Sequence, residues 1–393
     1  MTIENIALKR RLDLTLTYSN IISFAAVSIF LPYILSAIVM TFLAVYIILN
    51  KYTRQLIFIH KGSNLLKIFF GYVLIIPLLY KNWLGLLVGV GMIMAMTFGL
   101  FMRSVMTKEL YERVLHLICI MSLTSAGYAI VEKLLNSLLD SRHSHRIASV
   151  FSHPNYFGTI VGTVIIICAY KLLTHQGNKI FYILVGLVNT VSIYLCKSMF
   201  VWMEVFIGVT VLLLMLKYYR LLLLWLSTAV AGGIAIFILK LPIIPRLSDM
   251  NVTISLREQI WALAVRQIKA NPLFGHGFMS FSFIYDSSIK NNRIPHAHSI
   301  YLDMLMNFGI VGSMLFLWFL CKYYLSLFYT RIKENNTIIT SLILAVSVAA
   351  LVHGATDMTL LWIQTFPLFL IIVSGLGADE KNGRYHINAD WFF

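Results

Sequence analysis

Two histidines one residue apart, His296 and His298, stand in "NRIPHAHSIYLDMLMNFGIVGS" (292–313), at the lip of a long apolar run. Residues two apart share a face in an extended segment but not in a helix. Pro295 favours an extended segment here. Such a pair suits three kinds of chemistry. It could ligate a metal, but that needs a third ligand. His276 and Asp303 are the candidates, and the spacing matches no zinc motif. It could hydrogen-bond a loop. It could also act as a general base, because a neutral imidazole with a pKa near 6.5 takes a proton from a hydroxyl at neutral pH.

Two further stretches carry reactive residue types. In "RHSHRIASVFSHPNYFGTI" (142–160), Arg142 and Arg146 precede Ser152, His153 and Asn155, which surround Pro154. Proline is favoured at a first helical position. The stretch is therefore a turn and helix start, or, with Arg146 and free N–H groups, an anion site. In "SLREQIWALAVRQIKANP" (255–272), Leu256, Ile260, Leu263 and Ile268 recur at helical spacing, and Trp261 and Val265 widen that face. Asn271-Pro272 ends the helix. Arg257, Arg266 and Lys269 remain for lipid headgroups or for gripping a phosphate or diphosphate.

The elements that must position these residues are membrane helices. Hydrophobic residues make up 59% of the 393-residue chain and charged ones 12%, and the mean hydropathy is +0.83. Soluble domains carry about 25% charged residues. Apolar runs recur that are long enough to cross a hydrocarbon core about 30 Å thick, without the alternation of a membrane β-barrel. The expected fold is all-α, a polytopic helical bundle forming one integral membrane domain over 1–393. Twelve spans are expected: 15–31, 33–49, 64–80, 83–102, 111–131, 155–174, 180–196, 199–216, 219–239, 309–329, 337–354 and 359–377. Pro32 and Lys197 fall at the tightest turns. The basic start, Lys9 to Arg11, resembles a signal peptide, but the apolar run continues into a second span without a cleavage site, so a retained helix is expected.

Nineteen of the 31 basic residues fall in segments on the side of the N-terminus, and the short turns opposite hold only Lys81, Lys133, Arg142, Arg146 and Lys197. The positive-inside rule then puts both termini in the cytoplasm. The other seven, Arg257 and Arg293 among them, lie in one large extracytoplasmic loop, 240–308, which also holds His276, His296 and His298. The net charge of +15 reflects this bias and attraction to the lipid bilayer. The basic residues form no aromatic-interleaved stripe, so no nucleic acid partner is expected. Cys119, Cys168, Cys196 and Cys321 pair by no motif, so neither a disulfide framework nor a zinc site is expected.

Three segments in order, "RIASVFSHPNYFG", "SLREQIWALAVRQIKANPLFGHGF" and "PHAHSIYLDMLMNFGIVG", resemble the O-antigen ligase and polymerase family of bacterial polysaccharide assembly. The resemblance implies a GT-C-like membrane glycosyltransferase, inverting, metal-independent and without a cofactor, with short helices in its large loop. The implied donor is an oligosaccharide on undecaprenyl diphosphate. The acceptor is a second lipid-linked glycan in polymerases, or lipid A-core in ligases. One histidine is the implied base: His298, which matches the histidine before the family's usual asparagine, is the first choice, and His296, which matches the other member of the pair, the second. Arg257 and Arg146 match diphosphate-binding arginines, with Asn155 beside Pro154 and with Arg266 and Arg293 as further cations.

The chain departs from the family pattern twice. In "LCKSMFV" (195–201) Met199 stands where the family has arginine, and the adjacent Lys197 supplies a cation without the two-pronged geometry. Ser299 replaces the asparagine after the second histidine. A polymerase in the bacterial cytoplasmic membrane, serving capsule, exopolysaccharide or O-antigen and compatible with a chain-length regulator, is the first reading; a ligase is the second. A transporter or flippase for lipid-linked glycans would show broken, polar mid-membrane helices and inverted repeats. Here the polar residues gather at the outer mouth instead.

Overall fold

The structure, a computed structural model, describes residues 18–58, 63–139, 146–239, 250–283, 295–333, 337–358 and 360–379. Among these residues the elements are helices and there is no strand. Helix α1 covers 18–28. It is followed by α2 (Tyr33–Leu49), α3 (Lys51–Phe58), α4 (Ser63–Leu79), α5 (Trp83–Val105), α6 (Lys108–Leu139), α7 (Pro154–Leu173) and α8 (Lys179–Cys196). Then come α9 (Met199–Met215), α10 (Tyr219–Leu239), α11 (Met250–Ala270), α12 (Ile300–Lys333), α13 (Ile338–Gly354) and α14 (Thr365–Val373).

Six of these helices are long and apolar enough to cross a membrane: α5, α6, α7, α8, α10 and α12. The α2–α3 pair, bent by 90°, would make a seventh. Residues 64–79, α9, α13 and 365–378 are apolar but only 10–17 residues long, short of the roughly 20 that span a bilayer. The chain is a polytopic helical membrane protein, and its helix lengths depart from twelve uniform spans. The expected connection after α2 contains α3. The span expected at 309–329 begins nine residues earlier, at Ile300, and is broken at Gly309 (φ 60, ψ −168). The last expected span, 359–377, contributes only α14 and a 3₁₀ turn over Ser374–Asp379.

Backbone and side-chain hydrogen bonds join turns at each end of the bundle. At the end that carries Pro32 and Asn82, Tyr33 N–H donates to Val150 O (3.1 Å) and Asn82 Nδ2 to Phe278 O (2.8 Å). At the opposite end, Tyr111 Oη donates to Ile372 O (3.0 Å) and Tyr218 Oη to Leu173 O (2.8 Å).

Helix α7 is the most enclosed: 78% of its apolar window is buried, against none of that of α10. Small residues let α9 approach it closely. A methyl group on Gly158 or Gly162 would meet Val201 at 2.8–2.9 Å, so the start of α7 sits against the α8–α9 corner. In the large loop, Ile260, Leu263 and Ala264 of α11 pack on Phe281, Ala297 and Met306. Leu256 and Val265 of the expected face are exposed instead. The helix ends before Asn271-Pro272, as expected. The following "PLFGHG" pairs backbone to backbone with the break in α12. Ile310 and Val311 donate to Pro272 O and Leu273 O (2.8 and 3.0 Å), and Gly277 N donates to Asn307 O (2.8 Å). A Cβ on Gly275 or Gly309 would strike that facing backbone at 2.4–2.6 Å, and both have positive φ.

Candidate active site

The site is assembled at one end of the helical bundle from four separate turns. Between Pro295 and α12 the HAHS segment is held from below by Asp303, whose two carboxylate oxygens both accept from Ala297 N–H at 3.1 Å. His298 N–H donates to His296 Nδ1 (3.2 Å), and the two rings meet edge to face at 4.5 Å. His298 has φ 48, a left-handed conformation uncommon for any residue but glycine and a local strain of the kind found at functional sites. The rings differ in access. His296 is 6% exposed, whereas the His298 side chain is 28% exposed.

Asp357 completes the pair. It lies just past α13, in the turn where Asp357 N–H donates to His353 O (3.2 Å). Its Oδ1 is 2.9 Å from His298 Nδ1 and accepts Met358 N–H at 2.8 Å. Its Oδ2 accepts from Asn155 Nδ2. Asn155 Oδ1 in turn accepts from Arg146 Nη2, and Arg146 Nε donates to Cys196 O (3.1 Å). One hydrogen-bonded chain thus joins the α8–α9 corner, the start of α7, the turn after α13 and the histidine segment. Pro154 at the first position of α7, with His153 Nδ1 accepting Asn155 N–H (3.2 Å), sets the helix start that aims Asn155.

Burial, with His298 close by, pushes His296 down to about 4, so it is neutral at physiological pH. Burial alone would raise Asp357. The hydrogen bond from His298 and the surrounding imidazoles outweigh it and hold the carboxyl well below its usual range. His153, exposed at the same end, is lowered by desolvation and then by Arg146.

Arg257 is half-buried on the inward side of α11, one turn before Ile260, with its guanidinium 4.6 Å from the Phe200 ring centroid. That places it at the α8–α9 corner, where Lys197 ends α8 in a left-handed conformation (φ 50, ψ 38). Arg266 and Lys269 are exposed on the other side of α11. Ser299 is 5% exposed behind the histidines, and its carbonyl accepts Asp303 N–H (2.9 Å). Arg293 and Arg142 lie outside the described residues.

The third ligand sought for a metal is neither His276 nor Asp303. His276 packs on Tyr80 (5.1 Å) beside the α4–α5 corner, and Asp303 is spent on Ala297. His296, His298 and Asp357 together offer three ligand atoms within 4.8 Å of one another, a set able to hold a metal ion. Both Nδ1 atoms are engaged within the cluster, as they are in an acid-oriented base. Asp357 went unnoticed in the sequence because it is 59 residues from His298. Its one cue is that it is the sole acid in the short outer turn between the last two expected spans. Beneath it lies a second unforeseen pair, His353 Nδ1 and Glu204 Oε2 at 2.7 Å, both fully buried.

Two apolar cavities, each about 410 Å³, lie beside the site, and one of them reaches His296. One lies between α2, α5 and α14, with His296, Met279 and Trp362 at the end near the histidines. The other lies between α5, α12, α13 and α14, with Ile300 at one end and Arg103 at the opposite end. Both touch Met92, Phe278, Met358 and Phe366.

Residues 162–317 match the family described as O-antigen ligase. That segment contains Lys197, Arg257, His296 and His298; Arg146, Asn155 and Asp357 lie outside it. No curated protein matches the chain.

Proposed function

We propose that this chain, a member of the O-antigen ligase and polymerase family through residues 162–317, polymerises lipid-linked repeat units at the outer face of the bacterial cytoplasmic membrane. The observation that carries the reading is the His298–Asp357 pair, linked through Asn155 to Arg146. With Nδ1–H given to Asp357, the lone pair of His298 lies on Nε2. Aspartate orients and stabilises the imidazole of hydrolytic triads in the same way. His298 is also the accessible ring, whereas His296, with a pKa near 4, is too weak a base at neutral pH.

In the reaction, the acceptor hydroxyl oxygen bonds to the anomeric carbon of the donor glycan and its proton passes to His298 Nε2. The bond from that carbon to the diphosphate breaks with its electron pair, and polyprenyl diphosphate departs. Attack opposite the leaving group inverts the anomeric centre. Arg146, Arg257 and Lys197 stabilise the charge that grows on the diphosphate, where such contacts count most. The cavity between α5, α12, α13 and α14 suits the polyprenyl tail. The basic bias of the opposite face supports cytoplasmic termini, and the family resemblance supports a GT-C-like, twelve-span arrangement.

The ligase reading is favoured by the description of the matching family. Purified protein in nanodiscs, given lipid-linked repeat units as the sole substrate, distinguishes the two. A ladder of longer lipid-linked chains is expected. Product formed only after lipid A-core is added would make the chain a ligase.

A further inference from the structure

The indole of Trp362 is held in one orientation at the rim of the α2–α5–α14 cavity. Its Nε1–H donates to Ser152 Oγ (3.0 Å). One ring face is stacked on Tyr156, with centroids 4.8 Å apart and planes inclined by 23°. The ring also lines the cavity, together with His296, whose own ring touches that of His298. A tryptophan that only anchors a protein at the membrane surface keeps its N–H for the headgroup layer. This one gives its N–H to Ser152 and lines a cavity that also reaches His296, the neighbour of the candidate base.

We infer that Trp362 is a stacking platform for a pyranose ring, and that the end of this cavity near the histidines is the subsite for the acceptor sugar. A fixed aromatic face suits the apolar C–H face of a sugar, and the exposed Ser152 and His153 offer polar groups to its hydroxyls. No lysine or arginine lines the cavity among the described residues. The cavity therefore suits a neutral ring, while the diphosphate belongs beside Arg146, Arg257 and Lys197. The cavity volume is in the range of small-ligand sites. The assignment of the ring to the acceptor rests on the glycosyl-transfer reading; the platform itself does not.

The test is binding without turnover. Protein in nanodiscs is titrated with methyl α-glucopyranoside, methyl N-acetyl-β-glucosaminide and methyl α-rhamnopyranoside, and saturation-transfer NMR reads the ring C–H protons. We expect at least one glycoside to receive saturation from wild type and Trp362→Phe, with roughly ten-fold weaker binding in Trp362→Leu, about the worth of one aromatic contact. Trp318→Leu, at an exposed tryptophan of α12, should bind as wild type does. Should Trp362→Leu misfold, the same titration followed by tryptophan fluorescence should change the spectrum of wild type and not that of Trp362→Phe. Equal binding by Trp362→Leu, or no glycoside bound by wild type, overturns the platform. Binding by a protein that makes no glycan product would keep the platform and remove the transferase reading.

Discussion

Asp357 Oδ1 and His298 Nδ1 lie 2.9 Å apart, brought together from the far end of α13 and the segment before α12. Asp357 is 2% exposed and its only imidazole partner in hydrogen-bond range among the described residues is His298. Asp357→Asn keeps the shape and removes the charge that selects the tautomer. We expect turnover to fall by about 10²–10⁴-fold with little change in donor binding. His298→Ala should cost about as much, and the double variant little more than either, because groups acting as one unit are not additive. If Asp357→Asn is nearly as fast as wild type, or if His296→Ala rather than His298→Ala abolishes turnover, the base has been misassigned.

The same cluster sets up a metal test. His296, His298 and Asp357 could bind a cation, but the proposed mechanism uses His298 as a proton acceptor, and a metal on its lone pair would block that. Full activity in excess chelator is expected. Loss of activity that one divalent ion restores would replace the base mechanism with a metal-assisted one.

Among the cations the expected order follows placement. Arg257 faces Phe200 at the α8–α9 corner, while Arg266 and Lys269 are exposed. Arg257→Lys should be slower and Arg257→Ala slower still, mainly in kcat, since charge grows on the leaving diphosphate. Alanine at Arg266 or Lys269 should be tolerated. Lys197→Ala should fail and Lys197→Arg survive. Normal kinetics for both Lys197→Ala and Arg257→Ala would move the diphosphate toward Arg146 or Arg293.

Much of this arrangement was legible before the fold was known. Run length and composition give the helical membrane class, and Asn271-Pro272 marks the end of α11. The three polar stretches at Arg146, Arg257 and His298 do converge at one mouth. Asp357 was not legible, because its partnership depends on how α13 packs against α7 and α9 rather than on anything local. The break in α12 was hidden for a related reason. Gly309 sits in an apolar run that reads as helix, and only the close approach of Leu273 requires its backbone to turn. The short α14 is another packing outcome, since the longer apolar stretch 359–377 that contains it reads as a span.

His296 makes the fold sensitive to acid. Its folded pKa of about 4 lies below the unfolded value near 6.5, so between those values the unfolded chain binds the extra proton. Stability is therefore lost as pH falls through that window, on the order of 3 kcal/mol in all. The depressed Asp357 acts in the same direction at lower pH, because its contribution is lost once the carboxylate is protonated. The thermal midpoint of the purified protein should drop from pH 7 to pH 4.5, and His296→Gln should flatten that drop. An equally steep fall in His296→Gln would assign the acid sensitivity to other groups.

The Glu204–His353 pair carries the last prediction. Both side chains are fully buried, and Thr163 Oγ1 also donates to Glu204 (3.3 Å), so the pair ties α9 and α7 to the end of α13 one turn before Asp357. Ionisable residues inside a membrane bundle are costly unless paired. Removing one partner leaves the other uncompensated, a loss of about 3–5 kcal/mol, while exchanging both for packed apolar residues is often neutral. Glu204→Leu alone should lower the thermal midpoint sharply, and Glu204→Leu with His353→Phe should recover much of it. If the recovered double variant also regains full turnover, the pair is structural. If it stays slow with a normal midpoint, the charges of the pair help set the carboxylate of Asp357. Should Glu204→Leu prove as stable as wild type, the pair contributes nothing to holding these three helices together.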